Sequence, residues 1–155
     1  MPPFEPAADL TPPTDAEIAR VRRTFALIAP IAGVIADMFY DRLFYLAPSV
    51  RRMFPHDMRE QKRSLTVMMA STVQNLDNLD ALVPLAKALG ARHRRLGVTD
   101  GHYEIAEEAL IWSLERGLAS DFTAAVEESW RRAFRLLADA MKAGGSEVVM
   151  LQAAE

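Results

Sequence analysis

The segment Leu82–Tyr103 reads LVPLAKALGARHRRLGVTDGHY, and its apolar spacing decides the fold class. Leu82, Leu85, Leu89, His93 and Leu96 follow one another at steps of 3, 4, 4 and 3, the spacing of one stripe on an α-helix. His93 stands in that stripe where a further leucine would complete it. Burying an imidazole costs free energy unless one ring nitrogen finds a hydrogen-bond partner and the other finds a partner or a metal. Two readings therefore stay open: a core histidine tied to a backbone carbonyl, or a histidine that holds a metal. Arg92, Arg94 and Arg95 flank it on the polar side, and Gly97 is placed to close the helix at C′.

Composition narrows the choice. The chain has 155 residues, enough for one domain with a real core, of which 50% are apolar and 25% charged, with a net charge of −3. That balance gives no electrostatic case for nucleic acid or an anionic membrane. No apolar run approaches membrane-spanning length, and the N-terminus lacks the basic-then-apolar plan of a signal peptide. The sequence contains no cysteine, which excludes disulfides, thiolate catalysis and cysteine-ligated metals and fits the cytoplasm. The histidines are His56, His93 and His102, too few for an all-histidine metal site. One well-placed histidine still holds a metal when a cofactor supplies the other ligands, as haem does.

Outward from the central segment, the pattern is helical throughout. Residues 1–13 carry five of the nine prolines and read as an extended lead-in. Thr14 and Glu17 form a capping box for a first helix with Ile18, Val21, Phe25 and Ile28 on its apolar face. Pro30 opens a second, striped by Ile31, Val34, Ile35, Met38, Phe39 and Leu43, with Tyr40 and Phe44 beside it at i, i+4. Ala47-Pro48 ends it, and a short turn carries Met53 and Phe54. After the corner Pro55-His56-Asp57, the residues Gln61, Leu65, Met68 or Met69, and Thr72 line one face of the next helix. Asp100-Gly101 is read as a turn before a helix led by Tyr103, Ala106, Leu110 and Leu114. Asp121 or Thr123 caps the last helix, whose stripe is Val126, Trp130, Phe134, Leu137 and Met141. Gly144-Gly145 is read as its end, so that residues 14–143 form the domain and residues 144–155 a tail. The arginine pairs, Arg131-Arg132 among them, read as solvated charge. Strand alternation, phosphate loops and nucleophile elbows are missing.

In order and spacing these features resemble the globins, specifically bacterial single-domain haemoglobins and the haem domain of flavohaemoglobins, from about Ile18 to Met141. The residues that carry the resemblance are Phe39 to Phe44, Met53-Phe54, Gln74 to Leu79, His93 with Gly97-Val98, His102-Tyr103, and Trp130. It implies an all-α globin fold with helices A, B, C, E, F, G and H, no clear D helix, and one b-type haem. It makes His93 the proximal iron ligand, and Tyr40 in helix B and Gln61 in helix E the distal polar pair. Phe54 would pack on the haem, Leu65 cover the distal face, and Leu89 and Val98 touch the proximal side. Phe44, Met69 and Tyr103 complete the implied contact set. A phenolic O–H and an amide N–H₂ are suitable donors to bound O2, which carries partial negative charge.

The implied activity is reversible binding of O2, with NO and CO as further ligands, in a monomer or weak homodimer. Nitric oxide dioxygenation is the leading enzymatic activity. The residues read contain no flavin or nicotinamide domain, so turnover would need an outside electron-donating reductase. The resemblance also implies a glutamate near His93, but that position holds Gly145, with Glu147 two residues on. His56 would face solvent or a haem propionate rather than the iron. Rival readings are a gas or redox sensor acting through a partner protein, and a haem-free helical module.

Overall fold

Thr14 opens the first helix by the reciprocal pairing its sequence predicts. Its hydroxyl accepts from the Glu17 N–H at 3.2 Å, and its own N–H donates to Glu17 Oε1 at 2.9 Å. From there α1 (Asp15–Ile28) runs into a 3₁₀ turn at Ala29–Ile31 that contains Pro30, and α2 (Ala32–Leu46) follows. The computed structural model describes residues 11–154, so most of the proline-rich lead-in lies outside the described residues. Next come a 3₁₀ helix at Pro48–Met53, then α3 (Arg59–Gln74), α4 (Leu79–Arg95), α5 (Asp100–Leu118) and α6 (Ala124–Ala154). Among the described residues there is no strand, and no helix forms between Met53 and Arg59. This is the all-α order the resemblance implies, with the short 3₁₀ helix in the place of C.

The core joins α1, α2, α5 and the first half of α6 around Val21, Ile28, Ile35, Leu114 and Val126, all at most 1% exposed. Trp130 reaches across it to donate from Nε1 to Thr24 Oγ1 at 2.8 Å, which satisfies two buried polar groups at once. Arg22 closes the end of α3 by donating to the carbonyls of Val73 and Gln74 and pairing with Asp77. Arg131 is not solvated charge. It pairs with Glu107, a carboxylate only 7% exposed that also accepts from Arg135, and reaches Glu108 and Glu127 as well.

Four expectations need correction. Asp15–Leu46 is long and apolar enough, by length and composition alone, to cross a membrane, with a mean hydropathy of 1.4 over an 18-residue window. The 3₁₀ turn breaks it into two helices, and α2 packs on α3 and α5. Within it Ile31 and Val34 are exposed, because α2 turns Ile35, Ala36, Phe39, Tyr40 and Leu43 inward instead. The central stripe is likewise rotated: Leu85 and Leu96 are exposed, and the buried face of α4 is Leu82, Ala86 and Gly90. Finally, Gly144-Gly145 does not end the last helix, which continues to Ala154.

The last two corrections share one cause. Helices α4 and α6 cross so closely that a Cβ on Gly90 would run into the backbone of Met141, and one on Gly144 into the backbone of Lys87. Small residues here permit contact between two backbones, so a glycine pair inside α6 marks a crossing and not a terminus. Gly90→Ala should therefore destabilise the fold by about 1–3 kcal/mol, as overpacking against an obstacle that cannot rotate away. Urea unfolding measures it; an unchanged midpoint would show that the crossing is looser than described.

Candidate functional site

The close α4–α6 crossing leaves α4's other flank free to face α3 across an apolar cavity of about 230 Å³. Each wall follows from a local feature of the sequence. On α3, Gln61, Ser64, Leu65 and Met68 recur at helical spacing along the cavity. From α2 come Phe39, Tyr40 and Leu43; the segment after it adds Phe54. On the opposite side stand Leu89 and His93 of α4, then Val98, with Tyr103 of α5 and Met141 of α6 behind them.

His93 is oriented by its own helix. Its Nδ1 lies 2.8 Å from the Leu89 carbonyl oxygen, one turn back, so the ring donates from Nδ1 and keeps the lone pair on Nε2. The helix then stops in a Schellman motif. Val98 N–H donates to the His93 carbonyl and Gly97 N–H to that of Arg94, each at 3.0 Å, with Gly97 at φ 97°. Gly97 thus fills the C′ role its position predicts, and the turn brings Val98 back to the cavity wall.

Tyr40 and Gln61 meet on the far side. Gln61 Nε2 donates to Tyr40 Oη at 3.0 Å, which leaves the phenolic hydrogen free to donate elsewhere. Tyr40 is 4% exposed. Burial raises its pKa above the ordinary phenol value, with the Gln61 hydrogen bond opposing, so it stays a neutral donor. Phe54 packs edge-on against Tyr40 and Phe44, with ring centroids 5.6 and 5.4 Å away.

Of the residues singled out from the sequence, Tyr40, Phe54, Gln61, Leu65, Leu89, His93, Val98 and Tyr103 all border this one cavity. Phe44 and Met69 do not. Phe44 lies behind Phe54 and Tyr40, and Met69 packs on the core, because a step of one residue from Met68 turns the side chain about 100° around the helix. His56 is exposed on a corner braced by Arg51, which donates to the carbonyls of Phe54, Pro55 and His56. Glu147 pairs with Lys87 at 3.2 Å and is not the partner of His93.

His102 borders the cavity without having been assigned a role. Asp100-Gly101 is the first turn of α5, and the Thr99 N–H donates to His102 Nδ1 at 3.0 Å. Thr99-Asp100-Gly101-His102 is therefore a capping box in which histidine replaces the usual glutamate. That substitution hides the signal from the ordinary pattern.

A family model for globins matches residues 37–141, a span that holds every cavity-lining residue expected from the sequence. The chain is a globin. Flavohemoproteins are among its relatives: that of Bacillus subtilis is 26% identical over 123 residues, and that of Vibrio cholerae 30% over 131. These alignments cover 77% and 81% of this globin but 31% and 32% of the relatives, so the chain spans about a third of the length of the curated relatives it matches. Solved structures with the same fold include a bacterial globin from Campylobacter jejuni, at TM-score 0.78 and 19% identity over 88% of this chain and 99% of that one. An engineered carbene transferase from Rhodothermus marinus superposes at TM-score 0.82 and 22% identity, covering 90% and 98%.

Proposed function

We propose that the cavity takes one b-type haem with His93 Nε2 as its protein ligand, and that this globin binds O2 reversibly. The reading rests on one feature: the Tyr40–Gln61 pair and the His93 ring border the same apolar cavity. The residues present fit the group. Aromatic, leucine and methionine side chains suit a large apolar disc, and the Leu89 carbonyl already holds His93 in the tautomer that ligates a metal. Among the described residues no three histidine or acidic side chains gather into a metal site, so a metal at His93 would need ligands from a cofactor. Haem iron, when bound, supplies reversible ligation of a diatomic gas.

The chain's own groups then set selectivity. Tyr40 donates its phenolic hydrogen into the cavity, toward a ligand that carries partial negative charge. Gln61 donates to Tyr40 Oη, which holds the phenol and strengthens its own donation. Phe54 and Leu65 keep water from the same space. His93 has a carbonyl and not a carboxylate as its Nδ1 partner, which limits its basicity and suits reversible binding better than oxidative chemistry.

Nitric oxide dioxygenation is the second reading, favoured by the flavohemoprotein relatives. It would draw electrons from a reductase. Titrating purified protein with haemin tests the first reading, with a saturable one-to-one Soret band and O2 and CO difference spectra as the expected result. A protein that takes up no haem would leave the interaction-module reading in its place.

A further inference from the structure

A second cleft, of about 260 Å³, lies behind the wall formed by Val98, Tyr103 and Met141, which border both spaces. Its charged groups are Arg94, Lys142 and Asp100, and its apolar side is made by Val98, Met141, Val149 and Met150, the last two exposed. Two cations against one anion leave a surplus of one positive charge. Among the described residues neither Arg94 nor Lys142 forms an ion pair. Lys142 Nζ lies over the Tyr103 ring, 5.9 Å from its centre.

Tyr103 is the second observation. It is 9% exposed, yet its hydroxyl has no hydrogen-bond partner among the described residues. The ring is buried while the hydroxyl stays reachable, which leaves the phenolic hydrogen free to donate to an acceptor that enters the cleft. Burial first, then the Asp100 charge, push its pKa up to about 12, with Arg94 opposing, so it remains a donor at neutral pH.

We propose that this cleft binds a small aliphatic monocarboxylate, held by Arg94 and Lys142, hydrogen-bonded by Tyr103, with its chain along Val98, Met141 and Val149. A single surplus charge suits a monoanion better than a phosphate dianion, and the apolar side of the cleft at Val98, Met141 and Val149 gives a short hydrocarbon tail something to bury. Because three wall residues serve both spaces, occupancy of the cleft and of the cavity beside His93 are coupled, each changing the other's affinity by the same factor. That coupling rests on the haem reading above, whereas binding in the cleft does not.

The test uses full-length protein, with and without haem, carrying fluorotyrosine at its three tyrosines, Tyr40, Tyr45 and Tyr103. Hexanoate should shift the Tyr103 fluorine signal saturably in both forms and leave that of Tyr45, 72% exposed, in place. Arg94→Gln and Lys142→Gln should each weaken binding roughly tenfold, with circular dichroism unchanged. Equal shifts from 1-hexanol would remove the charge requirement, and equal shifts from inorganic phosphate the aliphatic one; either overturns the proposal, as does no shift at all. A hexanoate shift in protein that takes up no haem would uphold the cleft and sink the haem reading alone.

Discussion

Replacing His93 by alanine should leave a globin that no longer retains haem, or holds it so weakly that it passes to an acceptor protein. Losing a partner that merely orients a metal ligand commonly costs 10–100-fold in affinity, so losing the ligand itself should cost at least roughly a hundredfold. The deleted side chain leaves a space beside Leu89 and Val98, both of which border the cavity. Added imidazole should enter that space and restore both retention and the ferrous spectrum. His56→Ala serves as the control, because His56 is exposed on a corner held by three Arg51 hydrogen bonds and does not border the cavity. A ferrous spectrum unchanged in His93→Ala would move the ligand to another histidine. His102 would then be the first to examine, since it borders the cavity, although its Nδ1 is engaged by the Thr99 N–H.

That His93 could be placed on the cavity side from sequence, while the face of its helix was misread, has a physical reason. Apolar spacing reports which residues avoid water, but it does not say whether a face meets side chains or backbone. On α4 the residues that meet α6 are Ala86 and Gly90, which carry almost no hydropathic signal, so the leucines at Leu85 and Leu96 drew the stripe off the true contact. The glycines of α6 misled for the same reason, since close approach and helix termination select the same residue. Polar groups bonded within a few residues of themselves were easier to read. The Thr14 cap and the Gly97 turn both formed as their sequences predict.

The candidate site was legible where two elements each contributed one unusual residue. Tyr40 and Gln61 lie 21 positions apart, yet the 3.0 Å hydrogen bond between them follows from helical register on α2 and α3. Register also explains the two residues that miss the cavity. Phe44 keeps the i, i+4 relation to Tyr40 but lies beyond the end of the cavity, and Met69 misses it by a single residue where Met68 does not.

The direction of the Gln61–Tyr40 hydrogen bond sets the order of effects at the distal pair. Gln61 donates and Tyr40 accepts, so the phenol is the direct donor to a ligand and the amide acts through it. A hydrogen bond to a strongly polarised acceptor contributes about 1.5–3 kcal/mol, and about 1.4 kcal/mol is a factor of ten. Tyr40→Phe should therefore weaken O2 binding by roughly tenfold to a hundredfold, chiefly through faster release. The ring is retained and its contacts with Phe39, Phe44 and Phe54 with it, so the change is confined to the hydroxyl. CO is far less polar as a ligand, and its release should change little. Gln61→Leu should cost less than Tyr40→Phe, because it leaves the phenolic donor in place and removes only what steadies it. Stopped-flow release of O2 and CO from the three haem-loaded proteins decides the matter. If Tyr40→Phe left O2 release unchanged, or speeded O2 and CO alike, the tyrosine would be packing and the polar-pocket mechanism would fail. The same variant separates the functions: a dioxygenase must lose NO turnover in proportion to its lost O2 affinity, whereas a sensor saturated with ligand would still signal.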